Sequence, residues 1–227
     1  MPNLQDAIDR NLLSLYRQPI LSIHEKPTAP PEYFEILLRV NDRSPKDFLR
    51  ELTSIEQQQL DRWVFENVLK LAPEYRYAVN VSARSAEDSE FVSWLCSIKS
   101  HWLIVEITEH HAYTERTPEV IRRLKSHFYM LMDDLGAGYS SLVNLHGSSF
   151  DGIKFGGRLV SEVCINEKSR QMTGGIMAMA QEMGLSCVTE CVETLEIWET
   201  LIQLKEVYAP CLPLFVQGWA VGKPERA

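Results

Sequence analysis

No apolar run in this chain approaches the ~20 residues needed to cross a membrane. The N-terminus, Met1-Pro2-Asn3-Leu4-Gln5-Asp6, lacks the basic-then-apolar order of a secretory signal. The five cysteines (Cys96, Cys164, Cys187, Cys191 and Cys211) include no CxxC pair, and their number is odd. Nothing in their spacing points to a disulfide framework, so a reduced, cytoplasmic setting is expected. Basic residues are outnumbered, 23 Lys and Arg against 31 Asp and Glu, for a net charge of −8. That argues against a broad DNA or RNA surface, which needs clustered Lys and Arg. It leaves room for a small anionic ligand, because a bound divalent cation inverts the local charge. No histidine falls at a predicted strand end, which argues against a His-rich zinc site. No internal repeat, low-complexity tract or linker divides the chain.

The 227 residues are 45% hydrophobic and 24% charged, a globular composition. Short apolar runs alternate with helical periodicity, the pattern of a mainly parallel α/β fold. Strands are expected over residues 12–23 (broken at Pro19), 33–40, 75–81, 102–107, 128–133, 150–154, 185–190 and 211–216. The first two are separated only by a loop holding Pro27, Pro30 and Pro31, so they are expected as a hairpin. Helices are expected over 52–71 (stripe Ile55, Leu60, Trp63, Val64, Val68, Leu71; capping box Ser54 and Gln57) and over 86–99. Thr117 as N-cap with Pro118 behind it opens another. Residues 167–183 are expected to face inward with Met172, Ile176, Met179, Ala180 and Met183, and to end at Gly184. The last helix is 194–205, with Leu195, Trp198, Leu201 and Ile202 inside. A parallel barrel uses roughly 250 residues, so residues 1–227 are expected to form one such domain.

Nearly every apolar run ends on a polar or acidic residue: Glu35, Asn80, Glu106, Asp133 with Asp134, Lys154, Glu190 and Gln217. Singly, each reads as a solvated strand terminus, and Asp133-Asp134 before Leu135-Gly136 as a turn. Together, at one end of successive strands, they read as one site, because parallel barrels build their chemistry there. Carboxylates gathered so closely repel one another unless cations neutralise them. Hard divalent cations prefer these oxygen ligands. Adjacent aspartates suit two metals about 3.5–4 Å apart, the arrangement that clamps both oxygens of a phosphoryl hydrolysis.

The motifs Gln18-Pro19-Ile20, Glu35-Ile36-Leu37-Leu38-Arg39, Asn80-Val81-Ser82-Ala83-Arg84 and Glu106-Ile107-Thr108-Glu109 occur in that order. They are followed by Asp133-Asp134-Leu135-Gly136-Ala137-Gly138-Tyr139-Ser140-Ser141-Leu142, Lys154, Glu190-Cys191-Val192-Glu193 and Gln217-Gly218-Trp219. Over almost the whole chain the set resembles the EAL-domain family, bacterial phosphodiesterases of cyclic di-GMP. The resemblance implies a modified TIM-type (β/α)8 barrel with one antiparallel strand, two Mg²⁺ or Mn²⁺ ions, and hydrolysis of cyclic di-GMP to linear pGpG. Carried over by motif, Glu35, Asn80, Glu106 and Asp133 hold one metal, and Asp133 and Asp134 the second. Glu190 is the implied general base, assisted by Lys154. Gln18, Leu37, Arg39 and Gln217 are implied at the nucleotide. Glu109 anchors the glycine loop, which in the family couples the site to a dimer interface, so a homodimer is implied.

Three departures from the family pattern are specific. Lys154-Phe155-Gly156 replaces Lys-x-Asp, removing a carboxylate near the second metal. Cys191 stands where the family has glycine. The stretch after Arg39 lacks the usual Pro-x-x-Phe-Ile-Pro-x-Ala-Glu. The alternative to an enzyme is therefore an inactive domain that acts as a cyclic di-GMP receptor or binds a regulatory protein. If the lost carboxylate limits catalysis, Gly156→Asp is expected to raise activity.

Overall fold

The computed structural model describes residues 3–24, 26–71, 73–108, 114, 116–136, 142–147 and 149–227. Eight strands close into a barrel: β1 (Leu13–Ser22), β2 (Tyr33–Val40), β3 (Arg76–Ser82), β4 (Leu103–Thr108), β5 (Tyr129–Met132), β6 (Gly152–Phe155), β7 (Ser186–Thr189) and β8 (Leu214–Val216). From β2 to β8 the neighbours are parallel. β1 runs antiparallel to both β2 and β8, which makes the barrel mixed. A short β9 (Glu225–Arg226) adds to β1 beside Tyr16 and Arg17. The expected hairpin and the expected single antiparallel strand are both present.

The helices are α1 (Leu4–Asp9), α2 (Lys46–Glu51), α3 (Ser54–Val68), α4 (Ala83–Glu87), α5 (Ser89–Ser97), α6 (Thr117–Lys125), α7 (Leu142–Gly147), α8 (Arg158–Ser161), α9 (Glu167–Glu182) and α10 (Leu195–Tyr208). Alternate residues along each strand face the lumen or the helices. Ile20, Tyr33, Ala78, Ile104, Leu131 and Val188 form a small inner cluster that plugs the barrel. The larger core lies outside it, where Ile36, Val79, Val105, Met130 and Ile153 meet helix residues such as Phe65, Leu95 and Met177. The plug sits below Glu35, Asn80 and Glu106, which continue the same lumen-facing rows.

Several local expectations shift. Pro19 does not break β1. On the side away from β2, β1 pairs with β9 at Tyr16–Arg17 and with β8 at Leu21–Ser22, so Pro19 falls between two ladders. A missing N–H costs no ladder bond on that side. The capping box of α3 is Thr53 with Glu56, one residue before the expected pair, and Ile55 is consequently exposed. Asp88 caps α5 and divides the expected 86–99 helix in two. Thr117 is the first residue of α6 rather than its cap. In α9, Met172 and Met183 are exposed while Met177 is buried; Leu195 of α10 is also exposed. α1 and α2 had no expected counterpart; both are short and pack with α3 in a satellite cluster against β1 and β2.

Candidate functional site

The predicted strand-end residues converge on a buried lysine. The Lys154 ammonium, fully buried on β6, lies 2.7 Å from Glu106 Oε2, 3.0 Å from Glu35 Oε2, 3.1 Å from Glu190 Oε1 and 3.7 Å from Asp133 Oδ1. One ammonium therefore faces four carboxylates delivered by β2, β4 and the ends of β5 and β7. Glu35 is held further by Asn80, whose Nδ2 donates to Oε1 at 2.9 Å, and by Gln217, whose Nε2 donates to Oε2 at 2.7 Å. Gln217 Nε2 also reaches Gln18 Oε1 at 3.2 Å, and Gln18 Nε2 donates to the Gly222 carbonyl. Gln18 and Gln217 thus tie the first and last barrel strands together across the acidic cluster.

The electrostatics follow from burial and from the excess of negative charge. Burial raises Glu106 well above the carboxylate range; Lys154 offsets part of this, and Glu35 and Asp133 add to it. Burial, opposed by Lys154 and reinforced by Glu190, Glu35 and Asp134, pushes Asp133 up to about 8. Glu190 is also raised, mainly by burial. Glu35 is the exception. Burial alone would raise it, but the charge of Lys154 and hydrogen bonds from Gln217, Asn80 and Lys154 hold it below its ordinary value. Lys154 is raised well above an ordinary lysine, because the carboxylates outweigh the burial that would lower it.

These shifts set a sign for stability. A carboxyl whose folded pKa is raised keeps a proton that the unfolded chain releases, so stability falls as pH rises between the two values. For Asp133 the window runs from about 4 to about 8, and Glu106 and Glu190 act in the same direction. Glu35 and Lys154 contribute stability that stays in place across this window. The metal-free protein is expected to melt at progressively lower temperature as pH rises from about 5 to about 8. A melting curve that is flat or rising over that span would contradict the buried, proton-retaining carboxyls.

The donor set suits hard cations. Among the described residues, Asn80 Oδ1 and Glu106 Oε1 are buried oxygens with no hydrogen-bond partner. Leaving a buried acceptor unsatisfied is costly, and both are ligand types that Mg²⁺ and Mn²⁺ favour. Next to them, one oxygen each from Asp133, Asp134 and Glu190 lie within 4.8 Å of one another. Asp134 adopts a left-handed backbone (φ 54°), which an aspartate tolerates and which turns two consecutive carboxylates toward one region.

The two substituted positions meet beside Glu190. A Cβ built on Gly156 would sit 2.6 Å from Glu190 Cβ, so any side chain there must move the glutamate. This packing opposes the gain in activity expected of Gly156→Asp. Cys191, directly after Glu190, holds φ at +60°, a region where a non-glycine residue is strained by roughly 1–2 kcal/mol. Cys191→Gly is expected to stabilise the fold by about 0.5–1 kcal/mol, net of glycine's extra unfolded-state entropy. Denaturant unfolding measures this directly; a loss of stability would mean that the Cys191 side chain contributes more than its backbone costs.

A cavity of about 250 Å³ opens beside the cluster, bordered by Leu37, Arg39, Asp61, Asn80, Asp133 and Asp134. Leu37 and Arg39 thus face the same space as the acidic residues. The Arg39 guanidinium lies over the Tyr16 ring at 5.6 Å and donates to the Leu38 carbonyl. Sequence reasoning missed Asp61. It is buried on α3 and accepts from Gln57 Nε2 and from both the backbone N–H and the hydroxyl of Ser82. It therefore fixes the end of β3 that carries Asn80. Its signal was a lone acid inside an apolar stripe, between Leu60 and Val64. Glu109 and residues 137–141 of the glycine loop lie outside the described residues.

Three comparisons bear on the site. The family model described as EAL domain matches residues 1–224. The probable cyclic di-GMP phosphodiesterase PdeA of Escherichia coli K12 is 25% identical over 243 residues, covering 98% of this chain and 32% of PdeA. This chain thus spans about a third of the length of the curated relatives it matches first. An EAL domain protein from Listeria monocytogenes superimposes with a TM-score of 0.80 at 25% identity, over 99% of this chain and 93% of that one. Klebsiella pneumoniae BlrP1, solved as a manganese and cyclic di-GMP complex, shares the fold with a TM-score of 0.77 at 22% identity, over 94% of this chain and 56% of that one.

Proposed function

This chain belongs to the EAL-domain family, and from that premise we propose that it hydrolyses cyclic di-GMP to linear pGpG in a divalent-metal-dependent reaction. The observation that carries the reading is the pair of unpartnered buried oxygens, Asn80 Oδ1 and Glu106 Oε1, beside the clustered Asp133, Asp134 and Glu190. Glu35, Asn80, Glu106 and Asp133 would hold one Mg²⁺ or Mn²⁺, and Asp133 and Asp134 the second. Such ions supply charge neutralisation at the phosphate and a water acidic enough to attack it.

The protein's own groups do the rest. Glu190 accepts the proton of the attacking water, from a carboxylate that touches Lys154 and clusters with Asp133 and Asp134. Lys154 stays protonated and offers its charge to the same water or to a phosphate oxygen. Arg39 and Leu37 border the space that the nucleotide enters, and Gln217, which also donates to Gln18, braces Glu35. One bond forms between phosphorus and the water oxygen, one bond from phosphorus to ribose oxygen breaks, and the leaving oxygen takes up a proton.

The decisive experiment incubates purified protein with Mg²⁺ or Mn²⁺ and cyclic di-GMP and separates the products by chromatography. Appearance of pGpG, abolished by chelation, is the expected result. Tight binding without product would favour the receptor reading, which the missing carboxylate at Gly156 supports. No binding, even with Ca²⁺, would sink both and leave a protein-binding module. Gly156→Asp alone is expected to slow pGpG formation about ten-fold or more, because catalysis tolerates little displacement of a reacting group and Glu190 must shift to admit the side chain. Turnover above wild type would refute that packing argument. We further propose that residues 1–227 act as one cytoplasmic domain that pairs as a homodimer. Among the described residues, no helix is long and apolar enough to cross a membrane.

A further inference from the structure

We propose that a second cavity, next to the one beside the acidic cluster, is an anion subsite that takes the distal phosphate of the bound nucleotide. The inference rests on the cyclic di-GMP reading and extends it to Lys46 and Arg50, which lie outside the motifs, and to Arg84, the last residue of the Asn80–Arg84 motif. This cavity, about 590 Å³, shares Pro45, Leu49, Gln57 and Ser82 with the smaller one beside the acidic cluster, so the two lie side by side. Their charge balance differs. Asp61, Asp133 and Asp134 border the first, where Arg39 is the one cation among the described lining residues. Lys46, Arg50 and Arg84 are the charged residues of the second, and no carboxylate lines it among the described residues.

Three cations around one cavity run against a chain whose net charge is −8. They come from the two segments that directly follow the site strands. Lys46 and Arg50 lie on α2, after β2 and Arg39; Arg84 lies on α4, just after the end of β3 that carries Asn80. Arg50 has Asp47 at 3.6 Å, but both side chains are largely exposed, and such a pair holds an arginine weakly. A cyclic dinucleotide carries two phosphates. With one at the acidic, metal-binding end, the other requires counter-charge of its own, and guanidinium and ammonium groups match phosphate oxygens. The family's usual segment after Arg39 is missing here, and α2, which brings two of the three cations, occupies that stretch.

The test is equilibrium binding of cyclic di-GMP to the whole chain with Ca²⁺ present, at low and at high salt. The Lys46→Glu/Arg50→Glu double variant and Arg84→Glu are each expected to bind about ten-fold more weakly than wild type. Their affinity should also depend less steeply on salt, because screened phosphate contacts have been removed. All three positions are exposed, so thermal melting should report intact folding; Lys46→Gln/Arg50→Gln provides a milder step in the same direction. Wild-type binding that the variants match, in affinity and in salt dependence, would overturn the subsite and leave the cyclic di-GMP reading standing. A wild type that binds no cyclic di-GMP would overturn both.

Discussion

Lys154→Met is expected to lower the melting temperature of the metal-free protein by about 10 °C, the consequence of roughly 3–5 kcal/mol lost when one partner of a buried ion cluster is removed. Lys154 is fully buried, and its ammonium is the cation shared by Glu35, Glu106, Asp133 and Glu190. Methionine fills a similar volume but leaves those carboxylates to neutralise by taking up protons or to repel one another. Mn²⁺ is expected to restore much of the loss, because a ligand that binds only the folded state stabilises it in proportion to the logarithm of its concentration over its Kd. The measurement is thermal melting in chelator and then across a Mn²⁺ titration. An unchanged melting point in chelator would mean that Lys154 is not the counter-ion that holds the cluster. Failure of Mn²⁺ to stabilise either form would mean that the cluster does not take the metal.

The second large effect is expected at Glu190. Glu190→Gln keeps the size and most hydrogen-bonding capacity of the side chain but removes its ability to accept a proton. Loss of a positioned general base slows a reaction by about 10²–10⁴-fold. Product formation from cyclic di-GMP is therefore expected to fall by that factor while nucleotide binding survives. Glu190 is well placed to show such a split. It touches Lys154 at 3.1 Å and clusters with Asp133 and Asp134, yet its side chain remains partly open to solvent. Lost binding together with lost turnover would point to a structural or ligand-holding role. Unchanged turnover would remove Glu190 from the chemistry.

Much of this site was legible in the sequence because a barrel makes it so. Glu106 and Lys154 lie close to the ends of their strands, as their apolar runs suggest, whereas Glu35 is the third residue of β2 and reaches the same site from within its strand. What periodicity missed depended on a single residue or on tertiary context. Asp88 divides a helix that reads as continuous, because a side-chain oxygen accepting from Phe91 N–H begins a new one. Thr53 and Glu56 outcompete Ser54 and Gln57 as the capping box, a choice between adjacent, similar pairs. Lys154 was expected to assist a water; its position as the shared counter-ion emerges only from distances. The crowding of Gly156 against Glu190 is likewise a contact between the residues just after β6 and β7 that no motif encodes.

The antiparallel β1 carries a consequence for the order in which the molecule assembles. Its pairing with β2 is local in sequence, running from Leu13 with Val40 to Ile20 with Tyr33, whereas its pairing with β8 joins Leu21 to Val216. Contacts between neighbours in sequence cost little loop entropy and form readily, while those that span nearly the whole chain come late. The β1–β2 hairpin brings Gln18 opposite Glu35 early, but the hydrogen bonds from Gln217 to both wait for the final seam between β1 and β8. The acidic rim is thus completed by ring closure itself, and a chain stalled before that step holds Glu35 by Asn80 without the second amide, that of Gln217.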